Sequence, residues 1–182
     1  MRSDVVHEYY TVAFLDIAAN DMRWIQLFRE QHDPFYATLD PHFTLVFGIG
    51  DLPENLYLTH VADVARSSQR IDFTCRYATV GADDLNDGAY VFLVPDEGNS
   101  AISQLHDKLY GGAFKPYLRL ESAYIPHISI ASMKDFGRAK VLCEELNARP
   151  VCIAGRISAL TPGILGDGRF QPFRSYALGG CG

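Results

Sequence analysis

The chain has 182 residues, 48% of them hydrophobic and 21% charged, with a formal net charge of −6 at pH 7. That suits one globular domain or two fused lobes sharing a core, and no apolar run approaches the roughly 20 residues a membrane-spanning helix needs. An acidic total argues against a general nucleic-acid binder, whose affinity rests on phosphate contacts.

Residues 1–8 carry Arg2, Asp4 and Glu8 without the apolar stretch of a signal peptide, so a cytoplasmic location is expected. Tyr9 to Ile17 is rich in aromatic and branched residues and reads as a buried strand. Asn20 or Asp21 is placed to cap a helix over roughly 21–32, with Trp24, Leu27 and Phe28 inward. His42 to Ile49 reads as a strand ending in a turn cluster, where Asp51 and Glu54 resemble a capping box. The helix that follows runs to about Ser68 on a stripe of Leu58, Val61, Ala62 and Ala65.

Strands are expected at Ile71–Val80 and Ala89–Val94, separated by a polar turn. A helix opens at Asn99 or Ser100, turns Ile102, Leu105 and Leu109 inward and closes at Gly111-Gly112. A strand over about 124–132 precedes a helix near 136–148, whose stripe is Phe136, Ala139, Leu142, Cys143 and Leu146. Val151–Leu160 and Arg174–Leu178 end the chain as strands, leaving 32–40, 81–88, 111–123 and 161–172 as loops. Cys75, Cys143, Cys152 and Cys181 have no C-x-x-C spacing. The first three are expected to be buried free thiols, the last part of a mobile glycine-rich terminus.

One phrase occurs twice. Pro41-His42-Phe43-Thr44-Leu45-Val46 recurs as Pro126-His127-Ile128-Ser129-Ile130-Ala131, with the histidines 85 positions apart. Alternate side chains of a strand share a face. His42 and Thr44 therefore belong together, as do His127 and Ser129, while Phe43, Leu45, Ile128 and Ile130 turn to the core. Each strand offers one proton-transfer group and one hydrogen-bond donor. Facing each other, the two would supply an acid, a base and two donors, enough to cleave a phosphate ester without a metal. The strand and helix order also repeats in the two halves, which reads as an internal duplication. Charge does not repeat: residues 1–107 hold 6 Lys/Arg against 17 Asp/Glu, and residues 108–182 hold 10 against 5. A basic second half would draw anions locally.

At these residues the chain resembles the 2H phosphoesterase superfamily, also called the 2′-5′ RNA ligase-like or LigT-like family. The resemblance rests on paired His-x-Thr/Ser motifs on strands, on Phe47-Gly48 after the first and Tyr124-Ile125 before the second, and on the element order. It implies an α+β, bilobal duplicated fold: two antiparallel-rich sheets with outer helices around a central cleft, residues 1–182 forming one domain of two pseudo-symmetric lobes. It further implies phosphoester chemistry with no cofactor and no metal, His42 and His127 as the catalytic pair, and Thr44 and Ser129 as holders of phosphoryl oxygens. Implied substrates are a nucleotide or short RNA with a 2′,3′-cyclic phosphate or a 2′,5′ linkage. No membrane and no obligatory protein partner is expected.

The chain departs from many relatives behind the second motif, where Ala131-Ser132-Met133 precede Lys134 in place of an immediate Arg or Lys. A small or short substrate is the better fit. Arg119, Lys134, Arg169 and Arg174 are candidate phosphate or substrate contacts, and Tyr124 either stacks a base or ribose at the cleft edge or packs in the core. The other histidines, His7, His32, His60 and His106, are read as structural or surface residues. Two competing readings are a nucleotide- or RNA-end-binding module without turnover, and a metal hydrolase, which one imidazole per strand serves poorly.

Overall fold

The computed structural model describes residues 8–83 and 88–179. Among these residues ten strands and four α-helices follow one another as β1 Tyr9–Phe14, β2 Asp16–Ile17, α1 Ala19–His32, β3 His42–Ile49, α2 Glu54–Arg66, β4 Ile71–Asp83, β5 Gly88–Glu97, α3 Asn99–Leu109, β6 Ile128–Met133, α4 Phe136–Asn147, β7 Ile153–Ile157, β8 Ala159–Gly166, β9 Arg169–Pro172 and β10 Tyr176–Ala177. A 3₁₀ turn covers Gly112–Tyr117. The fold is α+β, with two five-stranded sheets whose strand pairs are all antiparallel. The first sheet runs β10-β8-β1-β3, with β9 also on β8; the second runs β2-β7-β4-β5-β6.

Two segments that read as single strands are each divided between the sheets. The run Tyr9–Ile17 breaks at Leu15, so β1 joins the first sheet and β2 the second. The run 151–160 breaks at Ser158, putting β7 in the second sheet and β8 in the first. The two runs pair with each other on both sides of the break: Val12 faces Thr161, and Asp16 faces Arg156. Hydrophobic patterning marks both stretches as extended but cannot show a change of sheet. β8 also continues through residues expected in a loop, turning back at Asp167-Gly168 into β9. Asp167 and Gly168 there have φ of 51° and 72°.

The core lies where the inner faces of the sheets meet each other and the helices. Phe43 of β3 meets Phe73 of β4 edge-on, centroids 5.0 Å apart, joining the two sheets with both rings buried. Helix faces are partly as expected. α3 buries Ile102, Leu105 and Leu109 together with His106, and α4 buries Ala139, Cys143 and Leu146. α1 turns Ile25 and Arg29 inward and leaves Trp24 and Leu27 exposed, because Arg29 finds a buried partner in Asp33 at 3.1 Å. α2 buries Tyr57 and Val64 beside Val61 and Ala65, and it starts after Pro53 without a side-chain cap. Phe136 and Cys152 are exposed, against expectation, while Cys75 and Cys143 are buried. Cys181 and His7 lie outside the described residues.

Deleting the Phe43 ring should cost about 3–5 kcal/mol, since it leaves a cavity at the seam. Phe43→Ala is expected to lower the stability measured by urea unfolding by that amount; an unchanged midpoint would show that the seam does not depend on this ring.

Candidate active site

The two motifs occupy matching places. His42 is the first residue of β3, and His127 directly precedes β6, which begins one residue later than its motif histidine. The strand expected over 124–132 is therefore extended only from Ile128. Both imidazoles are tied in the same way. His42 Nδ1–H donates to the Asp40 carbonyl at 2.7 Å, and His127 Nδ1–H donates to the Ile125 carbonyl at 2.7 Å. A carbonyl only accepts, so each neutral ring carries its proton on Nδ1 and has Nε2 as its basic atom.

A shared irregularity follows each hydroxyl. Thr44 and Val46 pair with the consecutive residues Val12 and Thr11, so Leu45 is an extra residue in β3. Ser129 and Ala131 pair with the consecutive residues Phe92 and Val91, so Ile130 is an extra residue in β6. These are β-bulges at equivalent motif positions. A bulge lets two successive side chains enter the core and then restores the next one to the opposite face. Leu45, Val46, Ile130 and Ala131 are all fully buried, and Phe47 and Ser132 return to the face of the histidines. The small residue at 132 thus stands on the site face.

Tyr124 links the halves. Its hydroxyl donates to the Thr44 carbonyl at 3.0 Å, and its ring stacks on buried His106 at 3.8 Å with a 7° interplanar angle. Burial raises the Tyr124 phenol well above its ordinary range, so it stays a neutral donor. His127 in turn lies within electrostatic reach of His42. Burial holds the His42 imidazole down to about 4, against the upward pull of its bond to Asp40; the positive charges of Arg29 and of a protonated His127 push it lower still. Burial also lowers His127, opposed by its bond to Ile125.

Each ring has its own support. His42 Nε2 accepts from the Thr44 hydroxyl at 3.1 Å. Behind it, Arg29 Nη1 donates to Gln26 Oε1 at 3.3 Å, and Gln26 Nε2 donates to Asp40 Oδ1 at 2.9 Å, the residue whose carbonyl holds His42. His127 instead lies against the Phe92 ring, centroids 3.9 Å apart. No motif in the sequence distinguishes Arg29, Gln26 or Phe92; only pairing and tertiary packing bring them in.

Of the basic candidates, Arg119 is exposed with its guanidinium 5.3 Å over the Phe47 ring, on the histidine-bearing face of β3. No carboxylate among the described residues lies within ion-pair distance of it. Lys134 follows the end of β6, seven residues beyond His127; Arg169 opens β9, and Arg174 lies between β9 and β10. All three are exposed and, among the described residues, make no hydrogen bond, ion pair or ring contact with the motif residues. Two surface hollows lie elsewhere, one beside α1 at Gln26, Tyr36 and Asp40 and one between His32 and Leu142; neither is lined by a motif histidine. Among the described residues no group of three His, Cys, Asp or Glu is placed to hold a metal ion, and no helix is long and apolar enough to cross a membrane.

Comparison with known proteins finds relatives of the same fold. The fold is similar to that of Escherichia coli LigT in apo form (TM-score 0.57, 18% identity, 94% of this chain and 97% of that one). It is similar to the same protein complexed with 3′-AMP (0.56, 16%, 95% and 98%) and to a Thermus thermophilus protein (0.57, 16%, 95% and 98%). LigT has also been crystallised with NADP⁺ and with ATP. A Bacillus licheniformis protein named "Putative phosphoesterase" is 26% identical over 106 residues, 57% of this chain, and the match spans 59% of that relative's length. The model of the 2′-5′ RNA ligase superfamily matches residues 16–161, a span holding both histidine motifs, and the chain belongs to that superfamily.

Proposed function

We propose that this protein is a phosphoesterase that hydrolyses a 2′,3′-cyclic phosphate or a 2′,5′-phosphodiester of a nucleotide or RNA end by two-histidine acid–base catalysis, without a metal. The observation that carries this reading is the pair of imidazoles at equivalent motif positions, each with Nδ1–H fixed on a backbone carbonyl two residues back and Nε2 left as its basic atom. Membership of the superfamily supports phosphoester chemistry, and the binding of 3′-AMP, ATP and NADP⁺ by LigT supports a nucleotide as substrate. The two sheets then act as one catalytic domain.

Roles follow from the surroundings. Burial, helped by the positive charges of Arg29 and of a protonated His127, favours a neutral His42, the state a general base needs. His42 Nε2 takes a proton from water as the water oxygen bonds to phosphorus. The bond from phosphorus to the departing sugar oxygen breaks, and the protonated His127 gives that oxygen its proton from Nε2. A phosphomonoester remains, and the second histidine has become neutral as the first has become charged. Thr44 and Ser129 hydroxyls donate to the non-bridging oxygens, where charge grows in the transition state. Thr44 occupies His42 Nε2 in the free protein, so its hydroxyl must rotate from that nitrogen to the phosphoryl group. Arg119 is the cation best placed to hold a further phosphate or the substrate's anionic end.

A panel of 2′,3′-cyclic nucleotides, 2′,5′-oligonucleotides and short RNAs should yield EDTA-insensitive hydrolysis of at least one member. His42→Ala and His127→Ala should each lower kcat by about 10²–10⁴-fold. Activity abolished by EDTA, binding without turnover, or near-normal rates in either variant would contradict the reading.

The free protein needs His42 neutral and His127 protonated. Activity should therefore fall on the acid side as His42 protonates near 4, and on the basic side as His127 loses its proton below the ordinary imidazole value of 6.5. The pH profile of kcat/KM should be a bell on the acid side of neutrality; a maximum above pH 8 would contradict these roles. Because a bound phosphate anion favours imidazolium, the kcat profile should lie at higher pH than that of kcat/KM.

A further inference from the structure

The two motifs match residue for residue, but the strands beside them do not. Across from Thr44 stands Val12, a buried aliphatic; across from Ser129 stands Phe92. Directly opposed residues of an antiparallel pair share a face, so Phe92 lies on the site face of the second sheet. Its ring meets the His127 imidazole at 3.9 Å with a 32° tilt and stacks on Tyr90 at 5.5 Å and 16°. The residue paired with Thr44 offers His42 no such ring.

On its other side the Phe92 ring leans across β4. A Cβ added at Gly81 would come within 2.1 Å of Phe92 Cε2 and 2.9 Å of Cδ2. Gly81 has no positive φ, and its backbone is paired with Tyr90 in a regular ladder. Nothing in its conformation calls for glycine; only the closeness of the ring does. A glycine inside a strand at such an approach weakens the strand and marks what it makes room for. Phe92 is thus flanked by Gly81 on one side and by His127 on the other.

We infer that Phe92 is the positioning residue of His127, and that Gly81 is small so that this ring can seat the imidazole at the phosphate. The inference deepens the proposed function and rests on it for the part His127 plays in the reaction; the ring geometry stands apart from it. A methyl group at residue 81 must push the Phe92 ring away from β4 and toward β6, displacing His127 while leaving His42 in place. Misplacement of a reacting group by about 1 Å can cost on the order of 10²-fold in rate. Truncating Phe92 would instead leave His127 loose.

Gly81→Ala, Phe92→Leu and the double variant separate these effects. Phe92→Leu is expected to lower kcat by about 10–100-fold with little change in KM, and Gly81→Ala by a similar factor. In the Phe92→Leu background the Gly81→Ala change should have no further effect, because the atom it strikes is gone. Additive losses, or wild-type kcat in both single variants, would overturn the inference. Proton NMR of the histidine rings reads the same geometry without any substrate. The face of Phe92 should shift the His127 ring protons upfield, and Phe92→Leu should remove that shift while His42 signals stay put. An unmoved His127 signal would overturn the inference independently of any assay. A wild-type protein that turns over no substrate, yet shows the His127 shift and its loss, would sink the functional reading and leave the positioning intact.

Discussion

One pair of antiparallel runs belongs to both sheets, and everything at the site depends on it. β1 and β8 pair in the first sheet, then both chains break, at Leu15 and Ser158, and continue as β2 and β7 in the second. The sheets cannot drift apart, because each is covalently continuous with the other twice. β3 lies beside β1, and β6 ends the row β2-β7-β4-β5-β6. The two motif strands are therefore carried by different sheets whose relation is fixed. Phe43 against Phe73 fills the space between them, and the bond from Tyr124 to the Thr44 carbonyl fastens the motif segments directly.

Within this frame, the repeated motif supplies likeness and its surroundings supply difference. Both histidines begin or directly precede a strand, donate from Nδ1 to a carbonyl two residues back, and are followed by a bulge at the same offset. A reaction that moves one proton in and another out needs two groups of unlike charge. The first imidazole is wired through Asp40 and Gln26 toward a buried guanidinium, which disfavours charge on it. The second rests on an aromatic face, a surface that attracts a cation. The asymmetry thus lies outside the repeated hexapeptide, in residues that the repeat does not include.

This explains what was legible beforehand. The paired motifs, their alternation between the core and the opposite face, and the helices followed from short-range pattern, since burial and strand period act over a few residues. What did not follow was non-local. The sheet change at Leu15 and Ser158 leaves no mark in an apolar run, and the continuation of β8 through 161–166 depends on a partner strand more than a hundred residues away. α1 turned by the Arg29–Asp33 pair contradicts its own apolar stripe, because a buried ion pair needs both partners present. The bulges do leave a trace, the doubled apolar residues Leu45-Val46 and Ile130-Ala131, which breaks strict alternation. Phe92 and Gly81 leave none, since a phenylalanine or a glycine in an apolar strand is ordinary until its neighbour is known.

The central claim is that His42 and His127 act together on one phosphorus. A crystal structure with a nucleoside 2′,3′-cyclic vanadate, whose five-coordinate vanadium mimics the transition state, tests it most directly. A single vanadium is expected between the two imidazoles, with one Nε2 on the attacking oxygen, the other on the departing sugar oxygen, and the Thr44 and Ser129 hydroxyls on the remaining oxygens. Vanadate held by one histidine alone, or seated in the hollow beside α1, would contradict it.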